Sequence, residues 1–249
     1  MKRLMDSIRE LRWKQEKKLI CFDLDGTLTQ HKTQLTAANR AVLDTLAKRY
    51  EIIMAGAGNC ERIYKQMGEY PITILGNYGM AESRIVDGKF QIVREDKAQV
   101  DKKFFEKSCN YLRKKYGYTD FSGESLEYHK SGMVTFGLLG TKAGKEAKLT
   151  FDPDKIKRRA MFPEVKEIFK DYSVFIGGTT SFDITPKQYN KLDAVLRYAA
   201  EHGYSFDQIL FVGDDFADGG NDSQIRLGGM DYIRIDDYTR LPEKLEFLF

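Results

Sequence analysis

The chain has 249 residues and carries 40 Lys and Arg against 37 Asp and Glu, a formal net charge of +3. With 42% hydrophobic and 31% charged residues, it reads as globular, long enough for one large domain or two modest ones. So small a positive surplus does not argue for nucleic acid, and no stretch approaches the ~20 apolar residues of a membrane span. Residues 1–18 are charged throughout and lack the apolar centre of a secretory signal. Cys21, Cys60 and Cys109 form no CxxC pair, the usage of a reduced, cytoplasmic protein.

In chain order, residues 19–22 form an apolar run that predicts a buried strand. Thr36 can cap a helix whose apolar face is Leu35, Val42, Leu43 and Leu46. A second buried strand is expected over 51–55, a helix over 60–67 and a third strand over 72–75. The middle of the chain differs. Residues 85–90 hold an Asp-Gly hairpin signal, and short strands are expected over 126–129, 133–138, 173–176 and 181–184. Helices are expected over 97–116 and 154–171. After a helix over 191–202, strand signals return at 209–212 and 232–235. Strands alternating with helices predict an α/β fold, a doubly wound, Rossmann-like parallel sheet. Its ligand crevice would lie at the carboxyl ends of the strands. The expected layout is a catalytic core of residues 1–83 and 185–249, with an α+β cap of residues 84–184 inserted as a lid.

The chemistry concentrates at strand ends. Phe22-Asp23-Leu24-Asp25-Gly26-Thr27-Leu28-Thr29 puts two carboxylates two residues apart after the first strand. Each raises the other's pKa, so their retention points to use, most simply metal binding and attack on phosphorus. Gly26 allows a tight turn and Thr27 can bind an oxyanion. Asp214 opens a second acidic stretch, 213–222, directly after another strand, and could complete an oxygen-donor Mg²⁺ site begun by Asp23. A cation is needed against these carboxylates: Lys191, at a helix start, is preferred over Lys187. After the second strand, Gly56 to Asn59 offers backbone N–H groups at a helix start to a phosphate. Gly56-Ala57-Gly58 also begins like a dinucleotide fingerprint, but Glu61 occupies the third glycine's place. His129 and His202 are unpaired, and His202 before Gly203 reads as a helix end. His31 lies near the first carboxylates and is a candidate to face substrate. No GxSxG or HExxH motif supports a serine hydrolase or zinc protease.

The segment from Asp23 to Thr29 resembles the first motif of the haloacid dehalogenase-like phosphotransferases. The resemblance implies Asp23 as a nucleophile forming an aspartyl-phosphate and Asp25 as general acid/base, its backbone carbonyl also meeting Mg²⁺. It further implies Asp214 as metal ligand, Asn221 and Asp222 as a supporting pair, and Lys191 as the family's lysine. The second motif's usual Thr or Ser is missing from 54–59.

Gly76-Asn77-Tyr78-Gly79-Met80, Ser131-Gly132-Met133, Gly177-Gly178-Thr179-Thr180-Ser181-Phe182-Asp183 and Gly219-Gly220-Asn221-Asp222 are similar to the eukaryotic-type phosphomannomutases. That implies Ser181 and Asp183 at sugar hydroxyls, a sugar-phosphate substrate and a homodimer through the cap. Where those enzymes rely largely on arginines, this chain has Lys32, Lys130, Thr141 followed by Lys142, and Lys148. A lysine is a point charge without the guanidinium fork. The expectation is therefore hydrolysis of a small phosphate monoester, with phosphomannomutase activity as the alternative. A silent phosphosugar-binding protein is the third reading, and Asp23, Asp25 and Asp214 argue against it.

Overall fold

The computed structural model describes residues 16–249, so most of the 1–18 segment read above lies outside the described residues. Two compact units are present. One holds the residues up to Glu95 together with Lys191–Phe216 and Asp222–Phe249; the other holds Asp96–Asn190 and Ala217–Asn221.

The first unit begins with β1 (Leu19–Phe22), four apolar side chains all buried. Thr36 caps α1 (Ala37–Leu46), its hydroxyl accepting the N–H of Asn39 at 3.2 Å. Val42, Leu43 and Leu46 of that helix are buried as their spacing predicts. β2 (Glu51–Ala55) follows, then α2 (Cys60–Gln66), capped by Asn59, which accepts the N–H of Arg62 at 2.8 Å. β3 (Thr73–Gly76) precedes a hairpin of β4 (Ala81–Val86) and β5 (Lys89–Glu95). Asp87 and Gly88 at its tip both have positive φ, 50° and 72°, the geometry that suits a two-residue hairpin turn. β4 pairs with β3, so the hairpin extends this unit's sheet. The expected boundary at 84 therefore moves to 95/96, because edge pairing with β3 claims the whole hairpin.

The second unit holds α3 (Lys102–Tyr116), β6 (Leu126–Tyr128), β7 (Val134–Gly137), α4 (Lys145–Phe151), α5 (Ile156–Ile168), β8 (Tyr172–Gly177) and β9 (Ser181–Pro186). Its four strands run antiparallel in the order β6-β7-β9-β8. Phe105, Cys109 and Leu112 of α3 and Met161 and Val165 of α5 pack with Val134, Phe136, Phe182 and Ile184 of the sheet. α3 starts at 102, not 97, since the Asp101 carboxylate accepts the N–H of Phe104 at 3.1 Å. β9 runs to Pro186, so the expected boundary at 184 falls within a strand and moves to 190/191.

The chain then completes the first unit with α6 (Lys191–Glu201), β10 (Ile209–Gly213), α7 (Ser223–Leu227), β11 (Tyr232–Arg234) and α8 (Leu241–Leu245). The seven-stranded sheet has the order β11-β10-β1-β2-β3-β4-β5, parallel from β11 to β3. Ile20, Phe22, Met54 and Val212 face α1, α2 and α8. Leu19, Cys21, Ile53 and Phe211 face α6 and α7. The sheet is thus covered on both faces, as parallel sheets require. In register, Phe22 pairs with Val212 on one side and Met54 on the other, so the loops after β1, β2 and β10 leave the sheet together.

Candidate active site

Asp23 is the first residue beyond β1. Its N–H still donates to the Val212 carbonyl at 2.8 Å, which holds it at the sheet end, and it is 3% exposed. Three residues on, Gly26 has φ +101°, and a side chain there would strike the Asp214 carboxylate. Glycine lets the turn press against β10's loop. The Thr27 hydroxyl donates to Asp23 Oδ2 at 3.3 Å.

Lys191, the first residue of α6, is fully buried. Its Nζ lies 2.5 Å from Asp23 Oδ1 and 2.7 Å from Asp222 Oδ1. The other oxygen of Asp222 accepts the N–H groups of Asp214 and Asp215, each at 3.1 Å. One carboxylate thereby fixes both the lysine and the loop after β10. Among the described residues, Asp23, Asp214 and Asp222 form a group whose ligand oxygens all lie within 4.8 Å of one another.

Three carboxylates and one ammonium leave an excess of negative charge in a buried place. Burial pushes Asp23 up, Lys191 opposes this, and Asp222 reinforces it. Asp214 is pushed up by burial and then by Asp23 and Asp222. For Lys191, burial works against the charge, but Asp222 and Asp23 outweigh it and the net shift is upward. An oxygen-only donor set short of positive charge fits a hard divalent cation such as Mg²⁺.

Asp25 has a different setting. It accepts the N–H of Lys32 and the side-chain amide of Gln66, both at 2.7 Å. Arg62 Nη1 is 3.5 Å and His31 Nδ1 3.9 Å from its second oxygen. Burial raises its pKa, but those donors and cations outweigh it and the net shift is downward. Two carboxylates two residues apart are thus driven in opposite directions. Gln66 and Arg62 were not singled out in the sequence. The available signal was Gln66, a polar residue at i+3 and i+6 on the buried face that also holds Ile63 and Cys60.

The other expected residues divide. The N–H of Gly56 donates to the Leu75 carbonyl at 3.0 Å, completing the sheet. Gly56 itself is thus not an anion donor, and a phosphate would meet the loop from Ala57 to Asn59. Lys32 enters through its backbone N–H, while its side chain lines a cavity of about 530 Å³ with Asn59, Arg62 and Lys65. Lys187 Nζ donates to the Lys170 carbonyl at 2.5 Å, while Lys191 is the lysine on Asp23. In the second unit, Asp183 is buried and accepts from the Thr135 hydroxyl at 3.0 Å, and His129 Nε2 lies 3.0 Å from that hydroxyl. Ser181 donates to the Gly177 carbonyl at 3.0 Å. Lys130 is exposed. Lys148 Nζ donates to the Thr141 carbonyl at 2.9 Å, and the Thr141 hydroxyl accepts the N–H of Glu124 at 3.0 Å. Asn221 keeps a buried side-chain oxygen with no hydrogen-bond partner among the described residues, next in sequence to Asp222.

A doubly wound sheet with paired carboxylates after β1, an acidic loop after β10 and a lysine between them defines a phosphotransferase. Residues 20–220 match the haloacid dehalogenase-like hydrolase family, and the chain belongs to it. It is similar to phosphomannomutase of Encephalitozoon cuniculi, 25% identical over 85% of both chains. It is also similar to phosphomannomutase 2 of Dictyostelium discoideum, 28% identical over 85% of this chain and 88% of that one. In fold it matches IMP-bound IMP-nucleotidase of Plasmodium falciparum, with a TM-score of 0.69 at 15% identity over 99% of this chain and 72% of that one. A haloacid dehalogenase-like hydrolase from Bacteroides thetaiotaomicron matches with a TM-score of 0.56 at 17% identity, over 94% of this chain and all of that one. The protein is an enzyme. No described helix is long and apolar enough to cross a membrane.

Proposed function

We propose that the enzyme is a Mg²⁺-dependent phosphatase of a sugar phosphate or similar small phosphate monoester. The observation that carries this is Asp23 at the end of β1, bridged through Lys191 to Asp222, with Asp214 beside them. An Asp23 oxygen attacks phosphorus, the P–O ester bond breaks, and the leaving oxygen takes a proton from Asp25, which picks it up from solvent once the substrate's phosphoryl charge lies beside it and offsets the donors that favour its ionised form. Water then attacks the aspartyl-phosphate at phosphorus while Asp25 accepts its proton, which frees inorganic phosphate and regenerates Asp23. Lys191 stays charged throughout and neutralises the aspartate as the phosphoryl group arrives. The side chains of Asp23 and Asp214 and the carbonyl of Asp25 would hold Mg²⁺, with Asn221 and Asp222 in support. The metal supplies positive charge to the phosphoryl oxygens. A cytoplasmic setting agrees with three cysteines that are all free and buried.

The second reading, phosphomannomutase activity, is favoured by similarity to such enzymes over most of the chain. Hydrolysis is favoured by the second unit. The lysine at 148 is bonded to the Thr141 carbonyl and the hydroxyl at 141 to the Glu124 N–H, and neither is the arginine fork that holds a second phosphate in fixed orientation. A bisphosphate intermediate would escape before rephosphorylation. Phosphosugars assayed for phosphate release, in parallel with a mutase assay containing a hexose bisphosphate activator, decide the matter. Phosphate release is expected to be the faster. Faster interconversion of hexose phosphates would overturn the hydrolase reading.

A further inference from the structure

The loop after β2 lacks the hydroxyl with which the family's second motif meets phosphate. The structure puts something else there. Arg62, in the first turn of α2, folds back so that its guanidinium lies against Gly58. A Cβ built on Gly58 would overlap Nη2, Nε and Cζ of Arg62. Gly58 is not among the positive-φ glycines, so its backbone would accept a side chain; the three atoms nearest such a Cβ all belong to the guanidinium, which would have to move aside. Arg62 therefore occupies the volume that the side chain of residue 58 would fill.

The guanidinium is also held. Nη1 donates to Gln66 Oε1 at 2.8 Å and lies 3.5 Å from Asp25 Oδ2. Gln66 in turn donates to the same Asp25. Nε and Nη2 engage no acceptor among the described residues, and Lys32, Lys65 and the carboxylate of Glu61 line the cavity beside them. A planar fork, fixed on one side and open on the other, suits two oxygens of one phosphoryl group.

We propose that Arg62 replaces the missing hydroxyl and binds the transferred phosphoryl group through Nε and Nη2. The inference rests on the reading of this site as a phosphoryl-transfer centre. Gly58 is then glycine because the arginine needs its room, and the pair is one exchange rather than two independent positions.

The test uses the whole chain with Mg²⁺, orthovanadate binding by calorimetry, and turnover of 4-nitrophenyl phosphate. Arg62→Ala should weaken vanadate binding about 10- to 100-fold, the span of a lost hydrogen bond to a charged group. Gly58→Ser alone should also weaken it, because the serine Cβ overlaps the guanidinium. Combined with Arg62→Ala the same serine should regain affinity, since the volume is free and the hydroxyl returns. Arg62→Ala binding vanadate within about twofold of the parent, with only turnover reduced, would overturn the proposal and leave Arg62 as a counter-ion of Asp25. A double variant no better than Arg62→Ala would overturn the exchange. A parent enzyme that binds no vanadate at all would remove the phosphoryl-transfer reading together with this one.

Discussion

Lys191 shows what a single residue carries here. It is fully buried, and its ammonium is the bridge between Asp23 and Asp222. Replacing it by Met keeps the volume and leaves two buried carboxylates without their partner. Breaking a buried ion pair from one side costs about 3–5 kcal/mol. Lys191→Met should therefore lower the urea-denaturation free energy by about that amount and abolish turnover. Loss of turnover with unchanged stability would mean that the lysine serves only the reaction. At this scale the sequence was readable where chemistry is concentrated. Asp23, Asp25 and Asp214 stand at strand ends, where charge has no structural purpose. Arg62 was not readable, because a helix carries such residues on its surface as a rule; Gln66 was signalled only by its place on the buried face. Only the fold shows that α2 aims both at Asp25.

Among the elements, the turn between β8 and β9 depends on a buried pair. Arg158 of α5 donates from Nη1 to the carbonyls of Gly177 and Gly178, at 2.8 and 3.0 Å, while its Nε meets Asp152 at 2.9 Å. Burial raises the pKa of Asp152, but Arg158 and the N–H groups of Lys157 and Arg158 outweigh it and the net shift is downward. A carboxyl whose folded pKa lies below its unfolded value stabilises fully above the unfolded pKa, and that stability is lost as pH falls through the folded value. Asp152→Asn should therefore destabilise the protein at pH 7 and flatten its acid-unfolding curve below about pH 4. An acid limb as steep as the parent's would show that Asp152 is not the group titrating. Helix α4 was invisible in the sequence because it buries no side chain and so has no apolar stripe. The hairpin of β4 and β5 was visible as a hairpin. Its sheet was not, since an Asp-Gly turn reads the same whichever edge the strands join.

Across the whole molecule, alternation of strand and helix gave the parallel sheet, and the shift to short mixed strands gave a second unit. The boundaries moved because strand pairing, β4 on β3 and β8 on β9, decides membership. Activity of the complete enzyme should require Mg²⁺ and vanish in excess chelator. Asp214→Ala should raise the Mg²⁺ concentration for half-maximal rate, since one of the three gathered carboxylates is lost. Full rate in chelator would contradict the metal assignment. The central claim is that Asp23 takes the phosphoryl group. It is tested most directly by acid-quenching the enzyme during turnover of a ³²P-labelled phosphate monoester and mapping the label. The account predicts a hydroxylamine-labile phosphoryl group on the peptide containing Asp23, formed at the rate of turnover and absent from Asp23→Asn. Undiminished turnover in Asp23→Asn, or label on another residue, would contradict it.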